Sequence, residues 1–289
     1  MKKLELIREE KLLRLIPGRT KDSRLEASGV ALVNDSTALI VFDNLNQIAR
    51  VDVSLKRSRR NGLWHAPSLG AGFEDVAADA RLGSTFGLIE SVEDLDGVLR
   101  GFVAEYDHEG RLRRCTRLPG RFQKANKGFE GLAHARHNGR EHLYALREAN
   151  SRASGAYRGR IDVYVRAGDG SWKQSHRIAL PAQARFKDYS ALAYWHHQVA
   201  IVSQESARVW VGRLDAKRRT FIKGSGAVYR FPGKDYGNVE GIDWLSDDTL
   251  IAVSDRTQKD QPAMYAEKDQ SIHVFRIPGG ANDSRRIER

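Results

Sequence analysis

The chain is read as an all-β protein, a five-bladed β-propeller, and three observations lead there. A six-residue motif opening with Glu or Ser recurs five times at blade-like intervals. Each copy is followed, 15 to 18 residues after its first residue, by an acidic residue that ends a second apolar run. The apolar runs are short, rich in β-branched residues and broken by turn pairs such as Asn34-Asp35, Asn138-Gly139, Asp169-Gly170 and Asp247-Asp248, a pattern of strands and not of helices.

Along the chain, residues 3–16 come first, a strand-like segment with no sequence neighbour to pair with. The blades start near residues 28, 74, 130, 190 and 240, with SGVALV, EDVAAD, EGLAHA, SALAYW and EGIDWL. Those starts lie 46, 56, 60 and 50 residues apart, close to the ~40–50 residues of a four-stranded blade. The second runs, ALIVFD, TFGLIE, LYALRE, AIVSQE and LIAVSD, end on Asp43, Glu90, Glu148, Glu205 and Asp255. Third segments, IARVDV, FVAEYD, RIDVYV, VWVGRL and SIHVFRI, alternate with the period of two expected of half-buried strands. A looser fourth segment follows in four copies, GLWHAPSL, RLRRCTRL, SWKQSHRIAL and residues 220–231. The fifth copy lacks one. Residues 3–16 are therefore predicted to form the outer strand of blade five, a closure that hides two sheet edges. Residues 1–280 then make one propeller domain and 281–289 a polar tail, with a six-bladed ring containing one degenerate blade as the alternative.

Lys and Arg number 48 against 37 Asp and Glu, a formal charge of +11 that favours an anionic small molecule or a protein partner. The basic runs Arg57–Arg60 and Lys217–Arg219 lie in turn-like stretches without interleaved aromatics, which argues against nucleic acid. No apolar run approaches the ~18 residues of a membrane span. The early lysines are followed by Glu5, Arg8, Glu9, Glu10 and Arg14, which break any apolar signal-peptide core. With the single Cys115 no intrachain disulfide forms, and the protein is read as cytoplasmic.

In a propeller the first strand of each blade lines the channel and the second runs antiparallel beside it. Ser28 with Asp43, Glu74 with Glu90, Glu130 with Glu148, Ser190 with Glu205 and Glu240 with Asp255 therefore meet at one mouth. Eight carboxylates crowded there repel one another unless something compensates them. Calcium is the natural candidate, a hard cation taking oxygen ligands, and Asp43, Glu74, Glu90, Glu130, Glu205 and Glu240 are the expected ligands. Asn44, Asn126, Asn150 and Asn238 lie near the same rim. Two other accounts stay open: pairing with Lys127, Arg147, Lys187 or Arg256, and carboxylates that accept backbone N–H groups between blades.

The blades that begin with Glu also carry the longer connections after strand two, residues 91–98, 149–159 and 256–269, so the site is expected on blades two, three and five. Arg152 and Arg158 in the second of these loops and Arg256 in the third are the candidate ligands for an anionic substrate. Other constellations point nowhere: His134, His137 and His142 alternate faces, Cys115 lacks a nearby His, and there is no GxSxG elbow or phosphate-binding glycine loop. The five tryptophans are expected to pack between blades.

At GFEGLA, VEGIDWLSDDTLIAVSDR and ASGVALVNDSTALIVFDN the chain resembles propellers of the esterase-like phytase and SdiA-regulated type, and more distantly the gluconolactonase and regucalcin group. That resemblance implies a divalent metal, usually calcium, in the channel mouth, with Glu74, Glu130 and Glu240 at the matching ligand positions. The sequence departs from it in having five repeats where those families have six, and in Ser28 and Ser190 replacing Glu.

Two functions are carried forward. The first is a calcium-dependent hydrolase of a small ester, lactone or phosphoester, with Glu148 or Asp255 as general base toward water. The second is a non-catalytic scaffold that binds a protein or small anionic ligand on its top face.

Overall fold

The structure is a computed structural model. It describes residues 1–67, 69, 72–79, 81, 83–122, 128–147 and 159–279, and only the backbone of Glu90 and Ser91. The predicted polar tail lies outside the described residues.

The described strands form five sheets, each a blade of antiparallel strands to which, in blade four, Lys2–Lys3 adds in parallel. Blade one is Ala27–Asn34, Thr37–Phe42, Gln47–Asp52 and Gly62–His65; blade two is Asp75–Asp79, Ser84–Glu93, Leu99–Tyr106 and Leu112–Arg117. Blade three is Phe129–His137, Arg140–Arg147, Arg160–Arg166 and Trp172–Ala179. Blade four is Ala191–Trp195, Gln198–Ser203, Arg208–Asp215 and Ala227–Arg230, with Thr220–Phe221 paired to the third strand. Blade five is Val239–Ser246, Thr249–Ser254 and Ser271–Arg276, completed by Glu5–Lys11.

Apolar alternation explains how the blades join. The inner strands of the blades bury side chains on both faces, so neighbouring sheets stack face to face around five apolar clusters, one per blade interface. The cluster containing Val30, Ile40, Ile251 and Val274 lies between blades five and one. This fifth interface closes the ring and leaves no place for a sixth blade. Trp64, Trp172, Trp210 and Trp244 belong to these interfaces as expected, whereas Trp195 is exposed on a hairpin. Full burial of a large apolar side chain contributes about 1.5–3 kcal/mol.

The predicted closure by residues 3–16 holds in its central part. Glu5–Lys11 pairs antiparallel with Ser271–Arg276, whereas Lys2–Lys3 runs parallel to Tyr229 and Arg230 of blade four and Leu12–Leu15 is a helical turn. Polar contacts secure the closing strand. Glu9 binds Lys268 Nζ at 2.5 Å and His273 Nδ1 at 3.2 Å, and Tyr236 Oη donates to it at 3.1 Å. His273 Nε2 in turn meets Ser254 Oγ at 2.8 Å. This Ser–His–Glu order mimics a hydrolase triad, yet Ser254 and His273 are both 0% exposed, so no substrate reaches the hydroxyl. It is a structural lock.

Among the described residues no helix is long and apolar enough to cross a membrane.

Candidate functional site at the channel mouth

Strand pairing fixes which residues face the mouth. Ala27 pairs with Phe42 and Val239 with Ser254, so the next residues, Asp43 and Asp255, stand at equivalent places. Ala191 pairs with Val202 as Gly241 does with Val253, which puts Gln204, and not Glu205, at that place in blade four. Glu205 lies one residue further out, exposed and paired with Lys187 at 3.2 Å. Sequence reasoning took the acidic end of AIVSQE as the match and missed the amide before it.

Four of the expected residues come together: Asp255, Asp43 and Glu130 all lie within electrostatic reach of Glu240. Burial, then the charges of Asp255, Asp43 and Glu130, push the Glu240 carboxyl well above the usual carboxylate range. Its Oε1 accepts a hydrogen bond from Gln204 Nε2 at 2.6 Å. Burial, with added repulsion from Asp43 and Glu26, pushes Asp255 up to about 7. Glu26, unremarked in the sequence, thus belongs to the cluster, and Arg256 Nη1 stands 4.0 Å from its carboxylate. Glu74 is half-buried at the start of blade two, its N–H bonded to the Leu88 carbonyl at 2.7 Å. Glu148, Arg152 and Arg158 lie outside the described residues, as do Asn126, Lys127 and Asn150, and the Glu90 side chain is undescribed.

Arg147 does not serve the mouth. Its guanidinium lies over Phe122, donates to the Arg121 carbonyl at 2.7 Å and faces Asp162 at 4.0 Å. The connection at 91–98 is shorter than expected, because the second strand of blade two runs on to Glu93. The connection after Asp255 is long, as expected, and contains the 3-10 turn Ala263–Glu267.

Ser28 and Ser190, the two departures from Glu, share one task. Ser28 Oγ donates to the Phe73 carbonyl, and Ser190 Oγ to the Val239 carbonyl at 3.1 Å, each reaching the residue before the motif of the next blade.

The second motif position closes the channel beneath this mouth. A Cβ on Gly29 would lie 2.5 Å from Asp75 Oδ1, and one on Gly241 2.7 Å from the Gly29 Cα, so the inner strands touch through missing side chains. Asp75 fills the remaining space, accepting N–H groups from Val76 at 2.8 Å and Leu132 at 2.7 Å. Asp243 does the same toward blade one, accepting from Leu32 N at 2.7 Å. These two carboxylates tie blades together, the structural role considered above for the mouth acids. The signal was available: Asp75 stands where the other copies carry Gly or Ala.

A cavity of about 470 Å³ opens at the other end of the channel, walled by Val30, Val76, Leu132, Leu192 and Ile242. Asp79 and His134 line it, and with Glu141 each brings one ligand atom within 4.8 Å of the others. Arg136 already bridges both carboxylates, at 3.0 Å to Asp79 and 2.9 Å to Glu141, and Arg166 holds Glu141 at 3.2 Å. The charges there are compensated. Burial pushes His134 down to about 4, so it is neutral.

No family model matches the chain, and no curated protein matches it in sequence. Solved structures match its fold. The glutaminyl cyclase of Myxococcus xanthus is 11% identical over 94% of this chain and 95% of its own, with a TM-score of 0.57. The PQQ-bound aldose sugar dehydrogenase of Streptomyces coelicolor is 14% identical over 93% and 98%, with a TM-score of 0.51. A luciferin-regenerating enzyme is 13% identical over 94% and 96%, also with a TM-score of 0.51. At these identities the likeness is one of fold: the chain is a β-propeller, an architecture on which enzymes of several reaction types are built. These neighbours support the propeller class and not the phytase-like type in particular.

Proposed function

We propose that the protein is a calcium-binding propeller that hydrolyses a small anionic ester, lactone or phosphoester at the carboxylate mouth. The observation that carries this reading is the convergence of Asp255, Asp43 and Glu130 on the buried Glu240, whose carboxyl burial and their charges push well above the usual carboxylate range. The donor set suits a hard divalent cation: carboxylate oxygens, the nearby Gln204 amide, and the buried Asn238 Oδ1 beside Asp255, which has no hydrogen-bond donor. Asp43, Glu130 and Glu240 would hold the ion, together with Glu74 and Glu90 from blade two. When bound, the ion would supply Lewis-acid polarisation of the ester oxygen.

The chain's own residues do the rest. Gln204 fixes one oxygen of Glu240 and leaves the other for the cation. Asp255, the more buried of the acids, accepts a proton from water as general base, a role shared with Glu148. Arg256, with Arg152 and Arg158, orients the anionic group. The phytase-like motifs agree with this chemistry.

The test is calorimetric titration with calcium, followed by turnover of ester, lactone and phosphoester panels by wild type, Glu130→Gln and Glu240→Gln. Binding and turnover that both vanish in the variants support the reading. Unchanged values in both would sink it.

The cavity at the far end favours a second reading, a non-catalytic binder of a small ligand. On that reading neither calcium nor turnover appears, and ligand protection maps to blade ends such as His137 and Tyr194.

A further inference from the structure

We propose that a second cavity, between blades one and two, is a binding site for a phosphate group carried by a small molecule. The cavity measures about 470 Å³ and lies apart from the carboxylate mouth, sharing only Val33 and Asn34 with the wall of the channel cavity.

Three arginines converge on it: Arg50 from the third strand of blade one, and Arg59 and Arg60 from the loop that follows. Among the described residues no carboxylate forms a salt bridge with any of the three. Arg60 acts electrostatically on Asp52, whose Oδ1 is taken by the Ser54 N–H at 2.9 Å. Arginines left without a carboxylate, facing one space, make a receptor for an anion.

The site is built and not merely charged. The Arg50 guanidinium carbon lies 5.6 Å from the centre of the Trp64 ring. Stacking of that kind fixes the plane of the guanidinium while its N–H edges stay available. Trp64 is itself held in place, because Gly110 packs so close that a Cβ there would stand 2.4 Å from Nε1. Thr37 and Thr85 add hydroxyl donors to the wall. The one carboxylate in the lining, Asp107, is neutralised by Arg111 at 2.9 Å and Arg113 at 2.8 Å.

Charge selects phosphate over carboxylate. One arginine pairs a carboxylate through both oxygens, whereas three guanidiniums and two hydroxyls match the charge and the several oxygens of a phosphate dianion. Leu39 and Ile48 in the same wall give an organic substituent an apolar surface.

The test is calorimetric titration of the full chain with inorganic phosphate and with phenyl phosphate, with acetate as the carboxylate control. We expect saturable binding of one phosphate per chain, and a loss of about tenfold or more in affinity for Arg50→Gln, the scale of one charge-assisted hydrogen bond. Arg59→Gln and Arg60→Gln, whose own side chains are exposed, weaken binding without changing the melting temperature. Arg218→Gln with Arg219→Gln, in blade four, leaves affinity unchanged and so separates the site from the general positive surface. Tighter binding of phenyl phosphate identifies an ester as the ligand; equal binding identifies free phosphate. Absence of saturable binding, acetate binding as tightly as phosphate, or equal losses in the blade-four variant overturns the proposal. None of these outcomes bears on calcium binding at the mouth.

Discussion

Gln204 Nε2 donates to Glu240 Oε1 at 2.6 Å, so an amide from blade four stands where blades one and five present Asp43 and Asp255. It is the one neutral side chain described at that ring position, and it holds an acid that burial and neighbouring charges push well above the usual carboxylate range. Replacing it with Glu adds a further negative charge against Glu240. We expect Gln204→Glu to lower the metal-free melting temperature by several degrees and calcium to restore it. Melts with calcium and with chelator check this, and identical curves would argue against a cation site.

Glu240→Gln acts in the opposite sense. Gln keeps the shape of the protonated acid and removes its repulsion with Asp255, Asp43 and Glu130. The variant should gain about 1 kcal/mol in metal-free stability near neutral pH while losing all stabilisation by calcium. Denaturant unfolding with and without the ion measures both effects.

The serine latches concern the ring alone. Ser190→Ala leaves the Val239 carbonyl without its donor, and Ser28→Ala does the same at Phe73. Each should cost about 1–2 kcal/mol, read by urea unfolding, with calcium affinity within twofold of wild type. A large fall in affinity would show that the serines shape the mouth itself.

Acid should loosen blade five first. The hydrogen bond from His273, then Lys268, hold the Glu9 carboxyl down at about 2 against an ordinary 4.5. A carboxyl lowered in the folded state contributes stability that is complete above about pH 4.5 and is lost as the pH falls toward 2. Glu9→Gln should flatten stability across that window, measured by unfolding at stepped pH. Ser254→Ala, within the same buried lock, should leave any turnover unchanged.

Much of the ring was legible because it is repetitive. Period-two alternation and the recurrence of Glu or Ser, then a small or acidic residue, then an aliphatic one, located the five inner strands, and the missing fourth strand pointed to the segment around Glu5–Lys11. The site was legible only in part, because membership in a ring position depends on register and not on spacing alone. One extra residue after Val202 turned Glu205 outward and Gln204 inward. Glu26 escaped notice because it precedes its blade's motif, and Arg147 was misplaced because alternation says nothing about the attraction of Phe122 and Asp162. Asp75 and Asp243 show how little residue type reveals: the same carboxylate forms a floor in one layer and a candidate ligand set in the next.

Glu5–Lys11 is synthesised before the strands of blades one to four, yet its partner Ser271–Arg276 comes after them. During translation the strand waits while four blades assemble behind it, and its five charged residues among seven, Glu5, Arg8, Glu9, Glu10 and Lys11, suit that interval by discouraging pairing with the wrong edge. Docking this strand spans the longest loop the topology contains, so it belongs among the late steps of folding. Substitutions at Glu9 should accordingly appear in the rate at which the ring opens and barely in the rate at which it first collapses, making the lifetime of the closed molecule a property of its first blade-forming residues.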